Sequence, residues 1–304
     1  MASAAPAGIA LIDKPQGMTS HDVVSRLRYH LATKKVGHAG TLDPMATGLL
    51  VLGVGAGTRL LTYAVGLAKT YRATIRLGAA TITDDAQGEQ VGPAADASSL
   101  TDSAIHAAIT PFTGHIMQVP SSVSAIKVNG QRSYARVREG QDVQLAARPV
   151  TVTRFDVLQM RRTGVFVDVD AVIDCSSGTY IRALARDLGA ALEVGGHLIA
   201  LRRTHVGAWS VDGAPQPPER NAPRAEEGDS PIRLLGLGEA AAQLLPIAPV
   251  TDEEARALSF GQNIPLRELE GTPAAAIVPR SGRLAAVVEP HRGALKPAIV
   301  FPEQ

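Results

Sequence analysis

The sequence predicts an α+β fold, because strand-like and helix-like segments follow one another irregularly along its 304 residues. Residues 49–54 form a continuous apolar run, which is typical of a buried strand. Residues 165–175 carry apolar side chains at every second position, which predicts a half-buried strand. Residues 181–192 repeat apolar side chains at helical spacing. A doubly wound parallel sheet would show a more regular alternation of strands and helices.

Two of the helices have candidate capping residues. Thr19 or Ser20 can cap a short helix, because small hydroxyl side chains accept from the free N–H groups of the first turn. The apolar residues of this helix recur at helical spacing, at Val23, Val24, Leu27 and Leu31. Ser176 or Ser177 is expected to cap the helix of residues 181–192 in the same way.

The remaining elements of the first 200 residues are predicted from local composition. Residues 70–77 alternate and predict a strand, whereas residues 84–102 are polar and rich in Gly and Ala, which indicates a loop. Residues 102–109 predict a helix. Residues 120–140 combine turn residues with Lys127 and several arginines, and we interpret them as a mobile, basic excursion from the core.

A proline-rich segment predicts the domain organisation. Residues 212–231 contain five prolines and few large apolar residues, which indicates a flexible linker or insertion. A short helix at residues 232–244 is expected to pack back on the first domain. Residues 250–301 then return to short apolar strands separated by Gly and Pro. We therefore predict a large first domain at residues 1–245 and a small second domain at residues 246–304.

Composition excludes several classes of protein. The single cysteine, Cys175, excludes a disulfide framework within the chain and a Cys-rich metal site, and it fits a reducing cytoplasm. We expect neither a secretory signal nor a membrane span, because residues 1–12 lack a basic segment followed by an apolar one and no apolar run is long enough to span a membrane. The net charge is only +1, but residues 127–162 hold eight bases against three acids. Such a segment can concentrate positive potential on one surface.

The most informative candidate for chemistry is Asp43. It lies between a loop containing Gly37 and Gly40 and the apolar run of residues 49–54, and Pro44 disfavours a helix at that point. A carboxylate held at the rim of a buried strand is partly desolvated and has a fixed direction, which suits a nucleophile or a general base. For an isolated Asp-Pro pair, a turn that only shapes the loop is the alternative.

Six segments, in order and with matching spacing, resemble the TruB family of tRNA pseudouridine synthases. They are DKPQGMTSHDVV at 13–24, GHAGTLDPMATGLL at 37–50, KTYRA at 69–73, PSSVSAIK at 120–127, CSSGTYIR at 175–182 and GHLIALRR at 196–203. Residues 258–264 and 295–297 more weakly resemble a PUA-type RNA-binding barrel. The resemblance implies a catalytic domain with a central, mostly antiparallel mixed sheet and a small PUA-like β-barrel.

The resemblance also implies a reaction and a substrate. The family converts uridine to pseudouridine in the T loop of tRNA, at position 55, after flipping the base out of its stack. The uracil leaves the sugar and rejoins it through carbon. The catalytic aspartate can attack the sugar, attack the base or abstract a sugar proton, and the sequence leaves these three routes open.

Six residues match family positions with a role. Asp43 matches the catalytic aspartate, and Arg182 matches the arginine that pairs with it. Tyr71 matches the aromatic residue that stacks on the flipped base. Three further positions contact the substrate: Tyr180 and Leu201 match residues that line the uracil pocket, and His38 matches a histidine near the displaced nucleotides. Taken without the family, each fits an ordinary role, namely a surface arginine, core packing or a loop histidine.

The implied partner is the T stem-loop of tRNA, and no membrane, metal, organic cofactor or obligatory protein partner is expected. We expect a monomer. Candidate phosphate contacts are Lys127, Arg59, Arg202 and Arg203. One alternative is a non-catalytic RNA-binding or tRNA-folding factor on the same scaffold, and another is a guide-RNA-dependent relative that works with protein partners. A dinucleotide-binding enzyme is disfavoured, because residues 53–57 give Gly-x-Gly-x-Gly instead of the Gly-x-Gly-x-x-Gly of dinucleotide-binding loops.

Overall fold

A computed structural model describes residues 6–121, 127–128, 131–132, 145–220, 222 and 232–301. It contains a ten-stranded sheet, a five-stranded sheet and two short hairpins. The strands are β1 Gly8–Lys14, β2 Val36–His38, β3 Thr47–Val54, β4 Lys69–Leu77, β5 Ala80–Thr81, β6 Gln90–Val91, β7 Gly114–Gln118, β8 Lys127–Val128, β9 Gln131–Arg132, β10 Arg148–Thr163, β11 Phe166–Cys175, β12 Gly196–Val206, β13 Trp209–Ser210, β14 Leu234–Leu235, β15 Ile247–Pro249, β16 Ile264–Pro265, β17 Ala274–Val278, β18 Arg283–His291 and β19 Ala294–Val300.

The helices lie between these strands. They are α1 Ser20–His30, α2 Leu61–Val65, α3 Asp102–Ile109, α4 Ile181–Ala191, α5 Leu237–Leu244 and α6 Asp252–Ser259. Two short 3-10 helices occupy Gly55–Leu60 and Thr110–Phe112. The predicted strands at 49–54, 70–77 and 165–175 and the predicted helix at 102–109 are confirmed to within three residues.

The large sheet is mixed and mostly antiparallel, as the resemblance implied. Its strand order is β14-β1-β3-β12-β4-β11-β10-β7, with β2 beside β3 and β13 beside β12. The parallel pair in this sheet is β3 with β12, where Thr47 and Gly48 lie opposite Arg202 and Arg203. This pair brings the strand after Asp43 against a strand from the far end of the domain.

The two predicted helix caps had different outcomes. Thr19 caps α1 in a capping box with Asp22, as expected. The predicted serine cap of α4 is wrong, because Tyr180 stands at the cap position and no side chain caps that end. The serines make other bonds instead: Ser176 Oγ accepts from Thr151 N at 2.9 Å, and Ser177 Oγ donates to Val65 O at 2.7 Å. Both serines thus fasten the loop before α4 to neighbouring segments.

The large sheet is covered differently along its length. On one face of β4, β11 and β12, apolar side chains pack against α3 and α4, with Ile75, Val169 and Leu184 fully buried. The β1–β3 end packs against α1 through Ile12 and Val23. The site described below lies where the two halves of the sheet meet.

The C-terminal segment forms the predicted small β domain, a sheet ordered β15-β17-β18-β19-β16 with α6 packed on it. The sequence did not predict α6, which Thr251 caps. The two sheets share apolar contacts, since Ile277 and Phe301 belong to the same buried cluster as Ile9 and Leu49. The proposed boundary at residue 245 remains a prediction.

The segment before this domain is partly described. Pro215 O accepts from Asp13 N at 2.9 Å, and Pro218 O accepts from Arg26 at 3.0 Å. Residues 221 and 223–231 of the predicted linker lie outside the described residues, as does most of the predicted excursion at 120–140. The helix predicted from residue 232 begins at Leu237, because Leu234 and Leu235 first pair with β1 as β14.

Candidate active site

A cavity of about 240 Å³ opens where the loop after β2, the start of β4 and the loop before α4 converge. Its lining combines charged, hydroxyl, aromatic and apolar side chains. The lining residues are Gly40, Thr41, Leu42, Asp43, Val65, Lys69, Tyr71, Ser176, Ser177, Gly178, Thr179, Tyr180, Ile181, Arg182, Leu201 and Arg203. The cavity therefore gathers Asp43, Tyr71, Tyr180, Arg182 and Leu201 from four separate segments.

The loop that carries Asp43 is fastened on both sides. Ser20 Oγ accepts from Leu42 N at 2.8 Å and lies 3.1 Å from Leu42 O, while the Leu42 side chain is buried in the core. Gly17 N donates to Pro44 O at 2.8 Å, and Ala46 N donates to Asp43 O at 3.1 Å. These bonds fix the backbone on each side of Asp43, so its carboxylate has a defined position in the cavity.

The partner of Asp43 is Arg182, as the resemblance implied. Arg182 Nε lies 3.0 Å from Asp43 Oδ2, and the arginine is only 4% exposed although it begins a helix. A second carboxylate, Asp85, lies 3.5 Å from the other side of the guanidinium. Thr83 O accepts from Arg182 at 2.7 Å. Arg182 is thus held from both sides, and its direction toward Asp43 is set by the protein.

Asp85 is itself well anchored. It is 3% exposed, and its Oδ1 accepts from Thr83 Oγ1 at 2.6 Å and from Gln87 N at 3.0 Å. The sequence placed residues 84–102 in a loop and assigned Asp85 no role. The reason is physical: its contact with Arg182 is made across the fold, and no local pattern distinguishes Asp85 from the neighbouring Asp84.

Opposing effects set the pKa of Asp43. Burial raises the pKa of its carboxyl above the usual range, Arg182 and Lys14 lower it, and Asp85 raises it further. About 38% of the Asp43 side chain nevertheless remains exposed through the cavity mouth. A carboxylate with a raised pKa is a stronger base and nucleophile once ionised, and Arg182 favours the ionised form.

Arg203 connects the Asp43 loop to β3. It is 1% exposed, and it donates through Nε to Leu49 O at 2.7 Å and through a terminal nitrogen to Gly40 O at 3.1 Å. It also hydrogen-bonds the hydroxyl of Tyr71. Gly48, with φ +100°, is required beside it, because an added Cβ would lie 2.2 Å from Arg203 O.

Two buried lysines add positive charge near the carboxylate. Lys14 Nζ donates to Met18 O at 2.7 Å and to Pro15 O at 3.0 Å. Lys69 Nζ donates to Val65 O at 2.7 Å and to Leu67 O at 2.6 Å. Burial lowers the pKa of each lysine to about 8. Lys14, Lys69 and Arg203 stood in the matched segments of the sequence, but the sequence assigned no role to either lysine.

His38 has a different setting from the other five predicted residues. It ends β2 and is absent from the cavity lining, and its Nδ1 is buried without a hydrogen-bond partner in the described part of the chain. Burial, with Arg203 nearby, lowers the pKa of its imidazole. Its assignment to the displaced nucleotides stays a prediction.

The candidate phosphate contacts also differ. Arg59 donates to Val300 O, and Arg202 forms a bidentate pair with Asp13 at 2.9 and 2.7 Å. Arg203 is buried at the cavity, and the side chain of Lys127 lies outside the described residues. In the described ranges, no group of three or more His, Cys, Asp or Glu is placed to hold a metal. Likewise, none of the described helices is long and apolar enough to cross a membrane.

Two family models match the chain. The N-terminal domain of the TruB family of pseudouridylate synthases matches residues 28–181, and the C-terminal domain of tRNA pseudouridine synthase II matches residues 245–302. The first match covers most of the cavity lining but ends before Arg182, Leu201 and Arg203, and the second covers the small β domain.

Similar proteins extend this match. A tRNA pseudouridine synthase B from Arthrobacter sp. (strain FB24) is 54% identical, with 97% of this chain and 96% of the relative covered. The tRNA pseudouridine synthase B of Corynebacterium efficiens is 55% identical, with 93% of this chain and 92% of the relative covered. The crystal structure of a Cbf5–Nop10–Gar1 complex shares the fold at 24% identity and a TM-score of 0.68, covering 98% of this chain and 84% of that one.

Proposed function

Because the chain belongs to the TruB family of pseudouridine synthases, we propose that it converts uridine to pseudouridine at position 55, in the T loop of tRNA. The observation that carries this proposal is the Asp43 carboxylate in an open cavity, 3.0 Å from the buried Arg182. Relatives covering nearly the whole chain carry the name tRNA pseudouridine synthase B, which supports tRNA as the substrate.

The reaction is an isomerisation that needs no group donor. The bond between N1 of uracil and C1′ of the sugar breaks, the uracil turns, and C5 bonds to C1′. C5 loses a proton and N1 gains one, so atoms and electrons balance without a redox partner. A cofactor is therefore not required by the chemistry, and we propose that none is used.

The residues of the cavity have complementary roles in this reaction. The flipped base stacks on Tyr71, and such base–aromatic stacking contributes roughly 1–3 kcal/mol. Tyr180 and Leu201 contact the uracil on its other sides. Asp43 acts on the sugar or the base, while Arg182 holds the carboxylate ionised and directed. Pre-organised charge of this kind needs little rearrangement as the bond breaks.

We further propose that the protein acts as a monomer in the cytoplasm, with the T stem-loop as its recognition element and no obligatory protein partner. The positive groups around the cavity, Lys14, Lys69, Arg182 and Arg203, suit a polyanionic substrate.

The test is to incubate the purified protein with an unmodified tRNA transcript and to map pseudouridine by nucleotide position. We expect one new pseudouridine, in the T loop, and none in a matched transcript whose target uridine is replaced by cytidine. Modification elsewhere would contradict the assigned position. Binding of the tRNA without any modification would instead support the RNA-binding or tRNA-folding alternative.

A second arm tests the absence of a metal. A prefolded T-arm hairpin separates metal-assisted RNA folding from metal-assisted chemistry. We expect turnover on this hairpin to persist in excess EDTA. Loss of turnover that a divalent ion restores would show that the chemistry needs a metal.

A further inference from the structure

The face of the large sheet opposite the cavity carries a regular pattern of arginine and aspartate. Side chains alternate between the two faces of a strand, so the neighbours of cavity residues point away from the cavity. On β4 and β11 the outward residues form bonded pairs: Arg76 with Asp168 at 2.7 Å, and Thr74 with Asp170 at 2.7 Å. Asp174 on the same face pairs with Arg154 at 2.8 Å.

Arg72 breaks this pattern. On β11 the residue opposite Arg72 is Val172, although Asp occupies positions 168, 170 and 174. On β12 the residue opposite Arg72 is another arginine, Arg202. Like charges directly opposite each other on neighbouring strands are destabilising. Arg202 is already paired with Asp13, whereas exposed Arg72 forms no ion pair with any described residue.

This unpaired cation borders a second cavity, of about 420 Å³. Arg72, Arg154 and Arg202 line it together with Thr70, Thr204 and His205. Its one carboxylate, Asp212, accepts from the Ser210 hydroxyl at 2.8 Å and acts electrostatically on Arg202. The cavity therefore offers an unneutralised guanidinium with hydroxyl donors close by, which is the chemistry that binds a phosphate group.

We propose that this second cavity binds a phosphate group through Arg72, and that the group is a phosphodiester of the substrate RNA. The identity of the RNA rests on the proposed function, whereas the site itself does not. The two cavities lie back to back on the same strands: Tyr71 and Arg203 line the first, and their chain neighbours Arg72 and Arg202 line the second. The proposal requires an RNA seated at the first cavity to reach the second around the start of β4.

Binding of full-length tRNA and of a T-arm hairpin, measured by filter binding over a range of salt concentrations, tests the proposal without turnover. Arg72→Gln should weaken RNA binding about three- to tenfold and should flatten the log–log salt dependence by roughly 0.7–0.9, the effect of one lost phosphate contact. The matched control is Arg76→Gln, on the same strand and face, because Arg76 is already neutralised by Asp168. We expect little change in that control.

A second variant keeps Arg72 and supplies the missing partner. Val172→Asp places a carboxylate opposite Arg72, as at the other outward positions of β11, and should weaken binding as Arg72→Gln does. Val172→Asn, of similar size but uncharged, should not. Because Val172 is half-buried on the polar face, both variants lose the packing of the valine, but only Val172→Asp neutralises Arg72.

Titration with inorganic phosphate, followed by ³¹P NMR, distinguishes the source of the phosphate. Weaker RNA binding in both charge variants supports the RNA phosphodiester. Unchanged RNA binding, with phosphate broadening that is lost in Arg72→Gln, supports the site with a free anion as its occupant. If neither ligand distinguishes the charge variants from their controls, the proposal is overturned. Formation of pseudouridine by the unaltered protein is scored separately, so failure of the proposed function would be recognised independently.

Discussion

The two faces of β4 and β12 use arginine in opposite ways. On the cavity face, Arg203 is 1% exposed and donates to backbone carbonyls and to Tyr71, while nearby Arg182 is 4% exposed between two carboxylates. On the other face, the side chains of Arg76 and Arg202 are 31% and 39% exposed and each pairs with one aspartate. Buried charges are costly unless every donor is satisfied, whereas exposed pairs contribute little. We therefore expect substitutions on the cavity face to affect turnover and stability more than substitutions on the opposite face.

The largest effect is expected at Asp43. Asp43→Asn keeps the size of the side chain but removes its basicity and nucleophilicity. Turnover should fall by several orders of magnitude, since acid–base catalysis alone contributes about 10²–10⁴-fold and a covalent role would add to it. The measurement is single-turnover formation of pseudouridine, with circular dichroism to confirm folding.

The matched control for Asp43 is Asp168→Asn, which removes a carboxylate from the opposite face of the sheet. Its turnover should stay close to that of the unaltered protein. Turnover of Asp43→Asn within tenfold of the unaltered protein would remove Asp43 from the mechanism.

The next effect concerns the two sides of Arg182. Removing Asp85 as Asp85→Asn frees one side of the guanidinium and should reduce kcat by roughly 10²-fold, in the range that misplaced catalytic groups cost. Because the Asp85 charge raises the pKa of Asp43, the acid limb of the pH profile should move to lower pH. Arg182→Met removes the stabilising cation, so its acid limb should move to higher pH.

Asp84→Asn is the neighbouring control, since Asp84 pairs with Arg186 at 3.3 Å rather than with Arg182. Asn also tolerates the positive φ of 59° at this position. An Asp85→Asn enzyme with an unshifted profile and a normal kcat would reduce Asp85 to a structural residue.

Stability should depend strongly on Arg203. Arg203→Met leaves Leu49 O, Gly40 O and the Tyr71 hydroxyl without a donor in a buried setting. We expect a loss of about 2–5 kcal/mol in the free energy of unfolding. Arg202→Met, one residue away but on the half-exposed face, should lose about 1 kcal/mol or less. Urea titrations of both variants make the comparison, and equal losses would show that the two faces do not differ as described.

The sequence predicted that the strands have two different faces, and it placed several residues at one cavity. The alternation of residues 165–175 identified the two faces of a strand, and the matched segments located Asp43, Arg182, Tyr71, Tyr180 and Leu201 at one cavity. These features are local or are carried by residue order. The sequence thus predicted several of the strands and five of the residues that line the cavity.

The burial of individual charges could not be predicted in this way. Arg202 and Arg203 are adjacent and chemically identical, and alternation along β12 places them on opposite faces of the sheet. Only the folded structure shows that the cavity face buries Arg203 while the other face leaves Arg202 partly exposed. The role of Asp85 was not predicted because Asp85 and Arg182 lie far apart in the sequence and meet only in the folded chain. The capping serine of α4 was misassigned because Ser176 and Ser177 bond to Thr151 and Val65, which lie on distant segments.

A further effect should appear in the pH dependence of stability. The folded protein lowers the pKa of Lys14 and Lys69 from 10.5 to about 8, so between these values the unfolded chain binds more protons. Stability should therefore rise as pH increases from about 8 to about 10.5. Lys69→Met should flatten this rise, whatever its effect on absolute stability. Urea titrations at pH 7.5, 8.5 and 9.5 give the free energy of unfolding at each pH. If it rises with pH as steeply in Lys69→Met as in the unaltered protein, the lowered pKa of Lys69 is contradicted.

The smallest effect is expected from the partly buried pair of Arg76 and Asp168, whose side chains are 31% and 9% exposed. The two side chains meet at 2.7 and 2.8 Å, and the guanidinium also lies 5.1 Å from the centre of the Phe166 ring. Because solvent reaches Arg76, the coupling energy should be only about 0.5–1 kcal/mol, despite the favourable geometry. A double-mutant cycle of Arg76→Gln and Asp168→Asn measures it directly. The coupling should shrink between 0.05 and about 1 M salt, where the Debye length falls to about 3 Å. A salt-independent coupling above roughly 3 kcal/mol would mean that this face behaves like the cavity face, and the contrast between them would fail.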